Sequence, residues 1–201
     1  MLILASASPR RQELLRSAGI SFAVQPADVD ETPLAGEGAR ECAERLARDK
    51  ALVVWKSRPQ DVVLGADTIV EVKGEILGKP ANAEDAARML RMLSGKTHRV
   101  ITGVCMAKPV GTPPVRSSES RAEIEGVTTA SETTLVTMSK ISDQEILEYV
   151  ETGEPMDKAG AYAIQGRASR WIPRIEGDYS NVVGLPVAMV YRMLRERNRN
   201  Q

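Results

Sequence analysis

The sequence is short of cysteine, of net charge and of long hydrophobic segments, and each shortage excludes a class of protein. Its two cysteines, Cys42 and Cys105, are too few for a disulfide framework and lack partners at metal-ligand spacing, so we expect two small core residues. The 27 basic and 27 acidic residues cancel, so no overall field would recruit nucleic acid or an anionic membrane. Any anion site must therefore be formed locally.

A membrane segment, a secretory signal and a histidine-based nucleophile system are also lacking. No apolar run approaches the roughly 20 residues needed to span a bilayer, and residues 1–4 lack the flanks of a secretory signal. These absences predict a cytoplasmic protein. The single histidine, His98, has no Ser/His/Asp or Cys/His arrangement around it, and we predict a structural role for it.

Alternating strand and helix patterns predict an α/β fold, and 201 residues are enough for one domain with a substantial core. Ser142 and Glu145 have capping-box spacing, and Lys73 with Gly74 predicts a hairpin turn. Prolines, serines and glycines in 108–125 predict an exposed, mobile loop. The predicted strands cover 2–5, 21–29, 61–72, 75–77, 98–107 and 127–138, and the predicted helices cover 9–18, 37–54, 82–94, 146–151 and the segment from 186.

The segment from Ser6 to Arg11 predicts a phosphate-binding corner at the start of a helix. Ser8 can cap free backbone N–H groups, while Pro9 suits the first helical position. The remaining N–H groups and the helix dipole favour an anion, and the guanidinium groups of Arg10 and Arg11 match phosphate oxygens. A capped surface helix with solvated arginines would explain the same residues, so both interpretations stay open.

One carboxylate, Asp67, interrupts the apolar and β-branched run from Val62 to Val70. Burying an ionised carboxylate requires a cation or several hydrogen-bond donors, and binding a metal or catalysing a reaction would explain such a residue. The alternative places Asp67 at a strand end or bulge, where Gly65 allows a bend and the carboxylate caps a neighbouring loop.

Three more charged residues become candidates beside these segments. Glu31 ends the acidic stretch 28–31, Lys50 lies at the edge of the apolar stripe of helix 37–54, and Lys79 precedes Pro80. Magnesium prefers oxygen ligands and substrate phosphates, while lysines neutralise phosphate, so the set suits a nucleoside triphosphate. Each residue also has a structural alternative. Glu31 would belong to a solvated acidic loop, Lys50 would have a buried stem and a solvated head, and Lys79 would be a turn residue.

Six ordered sequence blocks carry a family resemblance: SASPRRQELL at 6–15, GADTIV at 65–70, GKP at 78–80, SGKTH at 94–98, GEPMDKAGAYAIQG at 153–166 and NVVGLP at 181–186. They resemble the Maf family of nucleoside triphosphate pyrophosphatases, over residues 1 to about 195. The resemblance implies an α/β fold related to inosine triphosphate pyrophosphatases, with a long mixed sheet, flanking helices and two lobes around a central cleft. It also implies a single Maf-like domain over 1–201 and a homodimer.

The resemblance implies a reaction as well: cleavage between the α and β phosphates of a nucleoside triphosphate, giving a monophosphate and pyrophosphate with a divalent cation, Mg²⁺ or Mn²⁺. Asp67 matches the proposed proton acceptor, and Glu31 together with Asp67 would hold the cation. The matching substrate-binding residues are Ser8, Arg10, Arg11, Lys50 and Lys79. Whether Asp67 acts mainly as base or as ligand stays open.

Substrate choice within the family is implied by three further matches. Arg10, Thr68 and Gln165 are the residues of the branch that acts on dTTP and UTP, whereas the 7-methyl-GTP branch differs at all three. The Gln165 amide offers a donor and an acceptor to a pyrimidine edge, and Lys158 either supports the pocket or forms a structural salt bridge. Two alternatives stay open: a nucleotide-binding regulator of septum formation with little turnover, and a pyrophosphatase for a modified nucleotide.

Overall fold

A computed structural model describes residues 1–109 and 125–195, and these form a mixed sheet with helices packed on it. The strands are β1 (Leu2–Leu4), β2 (Ala23–Val24), β3 (Val62–Val72), β4 (Glu75–Leu77), β5 (Thr97–Ala107), β6 (Val127–Thr137) and β7 (Arg174–Glu176). Their order is β2-β1-β3-β5-β6-β7, and β4 pairs with β3. β1 is parallel to β2 and β3, whereas the other pairs are antiparallel. The α/β prediction with a long mixed sheet is confirmed.

The helices of the described ranges are α1 (Pro9–Ser17), α2 (Ala39–Trp55), α3 (Ala83–Leu93), α4 (Asp143–Glu151), α5 (Tyr179–Val183) and α6 (Val187–Arg195), with 3₁₀ turns at Glu154–Asp157, Ala159–Ala161 and Arg167–Trp171. Helices α1, α3 and α4 each begin at a residue whose side chain caps the helix. Ser8 accepts a hydrogen bond from the Arg11 N–H, and Asn82 accepts one from the Asp85 N–H. The predicted capping box of Ser142 with its helix is present in full.

Two apolar cores lie along the same face of the long central strand β3. At one end Val62, Leu64 and Ala66 belong to a core that includes side chains of α1 and α6. At the other end Val70 and Val72 belong to a core that includes side chains of α3 and α4. Side chains alternate between faces along a strand, so Thr68 points to this same face between the two cores. This arrangement agrees with the two lobes that the family resemblance implies.

The register of β3 leaves its middle open on one edge. β1 pairs with Val62–Leu64, and β4 pairs with Val70–Val72. No other strand of the described ranges pairs with the intervening residues on this edge. Within the described part of the chain, the middle of β3, where Asp67 and Thr68 lie, therefore has no hydrogen-bonded strand on this edge.

Helix α2 packs very closely on the other face of the sheet, and two glycines allow this approach. A Cβ on Gly65 would lie 2.1 Å from the carbonyl oxygen of Ala47, and a Cβ on Gly103 would lie 2.1 Å from that of Ala43. The alternative that Asp67 lies at a strand end or bulge is wrong, because Asp67 pairs with Gly103 within a continuous β3. Gly65 permits close packing of a helix instead of a bend.

The structure shortens one predicted strand and confirms the predicted burial of both cysteines. Strand β2 covers only Ala23–Val24 of the predicted extended segment 21–29. Both cysteines are fully buried, as predicted, and burial raises the pKa of each thiol to about 11. The loop prediction for 108–125 falls almost entirely outside the described residues. No helix in the described ranges is both long enough and apolar enough to cross a bilayer.

Candidate active site

A cleft of about 400 Å³ opens at the gap beside the middle of β3. The β1–α1 corner forms one wall, and the segment from Asp157 to Gln165 forms another. The end of α5, at Val183 and Gly184, closes the side between them. The cleft contains all the residues that the sequence proposed for the site: Ser8, Arg10, Arg11, Glu31, Lys50, Asp67, Thr68, Lys79 and Gln165.

Four of these residues form a continuous chain of ion pairs. Lys50 Nζ lies 2.6 Å from Asp67 Oδ1 and 2.5 Å from Glu31 Oε1. The other oxygen of Glu31, Oε2, lies 2.7 Å from Lys79 Nζ. Two cations therefore alternate with two carboxylates, and Lys50 joins the sheet residue to the loop residue.

This chain of ion pairs decides among the alternatives raised by the sequence. Lys50 and Asp67 are each only 7% exposed, so the ammonium group of Lys50 is buried together with its stem. Glu31 is paired with two lysines, in contrast to a solvated acidic loop, and Lys79 is more than a turn residue. Sequence patterning cannot reveal such pairing, because Lys50 and Asp67 lie on different elements.

The charge state of Glu31 follows from its partners. Partial burial raises the pKa of this carboxyl group, but hydrogen bonds and charge attraction from Lys50 and Lys79 outweigh burial and lower it to about 2. Glu31 is therefore ionised throughout the neutral range. Two lysines held on one carboxylate supply a compact positive region beside Asp67.

Arg11 is held in place by three acceptors from three parts of the chain. Its Nε donates to the Gly184 carbonyl at 2.7 Å, one terminal nitrogen to Ser6 Oγ at 3.2 Å, and the other to Thr68 Oγ1 at 3.0 Å. Burial lowers the pKa of Arg11, although a guanidinium group stays protonated in proteins. Since the group has five N–H donors, two remain for an anion. Arg11 is therefore a fixed residue of the cleft, in contrast to a solvated surface arginine.

Arg10 differs from its neighbour. In the parts of the chain that the structure describes, its guanidinium group has no hydrogen-bond or ion-pair partner, although it lines the cleft. The cleft as a whole has five cationic side chains, Arg10, Arg11, Lys50, Lys79 and Lys158, against three carboxylates, Glu31, Asp67 and Asp157. A neutral chain has thus concentrated two net positive charges in one cleft, which favours an anionic ligand.

Carboxylates are the ligands that the cleft offers to a divalent cation. Across residues 1–109 and 125–195 no group of three His, Cys, Asp or Glu side chains is arranged to hold a metal. However, Glu31 and Asp67 converge on one nitrogen, and Mg²⁺ is commonly held by one or two carboxylates together with substrate phosphates and water. The two carboxylates therefore fit a cation that binds with a phosphorylated ligand.

Two residues that build the cleft, Gly184 and Asp157, were not singled out from the sequence. The Gly184 carbonyl that orients Arg11 is 173 positions away in the chain, and only its place in the block 181–186 indicated importance. Lys158 pairs with Asp157 at 2.5 Å, and both line the cleft, so the open choice between pocket support and salt bridge was not exclusive. Asp157 lies in the block 153–166 but was not singled out.

His98 has the predicted structural role. It is buried, its Nε2 lies 2.7 Å from the Tyr162 hydroxyl, and desolvation lowers its pKa to about 4. Tyr162 lines the cleft, and His98 supports it from behind without lining the cleft itself.

The chain is similar over nearly its whole length to bacterial proteins named dTTP/UTP pyrophosphatase. A protein from Koribacter versatilis named dTTP/UTP pyrophosphatase is 58% identical over 194 residues, covering 96% of this chain and 93% of that protein. A protein of the same name from Symbiobacterium thermophilum is 50% identical, covering 97% and 93%. The solved structure of the Staphylococcus aureus Ham1 protein aligns with a TM-score of 0.41 and 15% identity over 68% of this chain and 71% of that chain.

The family model described as Maf-like protein matches residues 1–197. This match covers the corner, the middle of β3, both lysines and the segment that carries Gln165. The chain therefore belongs to the Maf family, as its six sequence blocks predicted.

Proposed function

We propose that this chain hydrolyses nucleoside triphosphates between the α and β phosphates, releasing a nucleoside monophosphate and pyrophosphate, with dTTP and UTP as preferred substrates. The observation that carries the proposal is the buried Asp67–Lys50 pair at the centre of a cleft with two net positive charges. The names of the relatives from K. versatilis and S. thermophilum support the same reaction and the same substrates.

The triphosphate is assigned to the positive side of the cleft. Ser8 and the first N–H groups of α1 line this wall, and a helix N-terminus favours phosphate oxygens. Arg11 has two N–H donors left, Arg10 has all of its donors free of described protein partners, and Lys79 is exposed enough to move toward the ligand. These groups neutralise the phosphates without a large rearrangement of the cleft.

Glu31 and Asp67 are the residues that would hold a divalent cation, Mg²⁺ or Mn²⁺. When bound, such an ion stabilises negative charge that develops on the phosphate oxygens. Lys50 lies between both carboxylates, so this lysine keeps them together before the ligand arrives. Its ammonium group lines the same cleft, where a positive charge stabilises phosphate oxygens.

Asp67 is assigned as the proton acceptor for the attacking water. Its Oδ1 is bound by Lys50, which fixes the direction of the carboxylate, and its position at the gap in β3 directs it into the cleft. A carboxylate in this position accepts the proton of a water as that water attacks phosphorus. As the water oxygen bonds to phosphorus, the P–O bond between the α and β phosphates breaks, and the monophosphate and pyrophosphate are released.

Base recognition is assigned to the opposite rim of the cleft. Gln165 is exposed there, and its amide can both donate to and accept from a pyrimidine edge. Thr68 acts differently, because its hydroxyl is already bound to Arg11 and Thr102 within the protein. Its contribution to substrate choice is therefore to orient Arg11.

The experiment measures pyrophosphate release from dTTP, UTP, CTP, GTP and 7-methyl-GTP with Mg²⁺ or Mn²⁺. The proposal expects the highest kcat/KM for dTTP and UTP. Asp67→Asn should lose this release, and Asp49→Asn is its matched control, because Asp49 lies on the same helix as Lys50 but pairs with Arg45 outside the cleft. Nucleotide binding without any turnover would contradict the proposal and favour the nucleotide-binding regulator. A preference for a modified pyrimidine nucleotide would retain the reaction but change the substrate.

The homodimer and the cytoplasmic location implied by the sequence stay predictions. Sedimentation of the purified chain over a range of concentrations tests the first, and cell fractionation tests the second.

A further inference from the structure

Glu154 lies outside the cleft, but it contacts the segment that carries the cleft residues Lys158 and Gln165. Its Oε1 and Oε2 lie 3.1 Å and 3.3 Å from the backbone nitrogen of Arg167, so they accept the hydrogen bond of that N–H group. The hydroxyl group of Tyr149, in α4, donates to Oε1 at 2.9 Å. Glu154 therefore joins α4 to the backbone directly after Gln165 and Gly166.

The contact between Glu154 and the Arg167 N–H group requires a residue without a side chain at position 166. A Cβ at this position would lie 1.9 Å from Glu154 Oε1 and 2.5 Å from its carboxyl carbon. The φ of Gly166 is −100°, which any residue can adopt, so the glycine is needed for space and not for backbone freedom. Because the side chain of Glu154 is the flexible partner, it is the carboxylate that would move if Gly166 carried a Cβ.

The turn held in this way is the one that presents Gln165. The Gly166 N–H donates to the Ala163 carbonyl at 3.1 Å, so Gln165 lies within a tight turn at the rim of the cleft. The backbone of Glu154 has a second contact, since its carbonyl accepts from Lys158 Nζ at 2.5 Å. Glu154 thus holds Gln165 through its side chain and Lys158 through its main chain.

The anchor behind Glu154 is rigid. Tyr149 is fully buried, and its ring meets the Trp171 ring edge-on, with 5.3 Å between the centroids and 85° between the planes. Aromatic pairs of this geometry are favourable and restrict both rings. The Tyr149 hydroxyl group therefore gives Glu154 a fixed donor from the core that contains α3 and α4.

We propose that Glu154 is the positioning residue for base recognition, and that Gly166 is its required partner. The Glu154 carboxylate ties the turn that presents the Gln165 amide to Tyr149 in the core and so restricts its movement. Selectivity among bases therefore depends on a residue that does not touch the nucleotide. This inference rests on the proposed function, which assigns Gln165 to the base edge.

The test compares kcat and KM for dTTP, UTP and CTP in five variants. Glu154→Ala and Gly166→Ala disrupt the contact from its two sides, and Gln165→Ala serves as the reference for lost base recognition. Glu154→Gln retains an amide oxygen that can accept from both Tyr149 and Arg167, so it should restore wild-type behaviour. Glu148→Ala is the control, because Glu148 is an exposed glutamate of α4, the helix that carries Tyr149.

The two disrupting variants should lower kcat/KM for dTTP relative to CTP by about tenfold, the factor that corresponds to one net hydrogen bond. Most of the change should be in KM, with kcat within about threefold of wild type, because the reaction residues are untouched. Thermal unfolding of each variant verifies that the folded protein is compared. If Glu154→Ala fails to fold, Gly166→Ala against Glu154→Gln decides the question.

The outcomes separate this inference from the proposed function. If Gln165→Ala loses base selectivity while folded Gly166→Ala and Glu154→Ala retain it, the positioning role is overturned. An equal fall in kcat for every nucleotide, without a change in selectivity, also overturns it. Failure of the proposed function would appear earlier, as a wild-type protein without turnover or a Gln165→Ala variant with unchanged selectivity.

Discussion

Lys50 Nζ, on helix α2, lies 2.6 Å from Asp67 Oδ1, in the middle of strand β3, and both side chains are buried. Helix α2 packs close enough to the sheet for this contact because Gly65 and Gly103 have no Cβ that would clash with its backbone. The fold thus places an ammonium group next to a carboxylate at the one part of β3 whose edge is open.

Replacing Lys50 by Met should damage both stability and activity. Removing one partner of a buried ion pair leaves an uncompensated charge and costs about 3–5 kcal/mol of unfolding free energy. Activity should fall roughly a hundredfold or more, since Asp67 and Glu31 lose the group that orients them. Chemical denaturation and steady-state kinetics measure the two effects. Lys56→Met, at the exposed end of the same helix, is the control, and an equal stability of the two variants would contradict the account.

Gly65→Ala should move α2 away from β3. The new Cβ would lie 2.1 Å from the Ala47 carbonyl oxygen, so backbone must shift, at a cost of about 1–3 kcal/mol. Lys50 would move with the helix, and turnover should fall more than stability alone explains. Gly78→Ala is the matched control, since nothing lies within 4 Å of the corresponding Cβ. Equal melting temperatures for the two variants would disprove the close-packing argument.

Thr68→Val should weaken nucleotide binding through Arg11. The substitution removes the hydroxyl acceptor of one terminal guanidinium nitrogen, and the loss of one net hydrogen bond corresponds to about a tenfold higher KM. Thr68→Ser retains the hydroxyl and should behave like wild type. Kinetics with dTTP check both variants. A wild-type KM in Thr68→Val would mean that Arg11 does not depend on this acceptor.

Stability should fall below about pH 6.5 because of His98. Burial lowers its folded-state pKa to about 4, below the ordinary value near 6.5 of the unfolded chain, so the unfolded state binds more protons between these values. Stability contributed by this group is present above pH 6.5 and is lost as the pH falls, by about 2 kcal/mol at pH 5. Denaturation of wild type and His98→Gln at pH 7.5 and pH 5 isolates the effect. A pH dependence that the two proteins share in full would rule out His98 as its source.

The sequence was sufficient for the α/β class, for most element positions and for the composition of the site. Caps such as Ser142 and periodic apolar residues act locally, so they can be recognised without tertiary structure. The six family blocks contain seven of the nine predicted site residues that line the cleft, whereas Glu31 and Lys50 lie outside the blocks. Those residues come from segments that meet only in the folded chain, which is why their contacts could not be predicted.

The rejected alternatives and the omitted residue have a common physical cause. Gly65 suggested a bend because its contact with Ala47 is made between different elements. The alternative of a lysine with a solvated head remained open because Lys50 is on helix α2 and its partner Asp67 is on strand β3. Glu154 was not recognised at all, since its importance comes from Tyr149 and Arg167 on either side of it.

The most direct test of the central claim is to separate the products formed from dTTP by wild type and by Asp67→Asn. The account predicts dTMP and pyrophosphate in equal amounts from wild type, and a rate at least about a hundredfold lower for the variant, the contribution expected of a general base. Circular dichroism of the variant verifies its fold. Release of dTDP and inorganic phosphate, or undiminished turnover by a folded Asp67→Asn, would contradict the account.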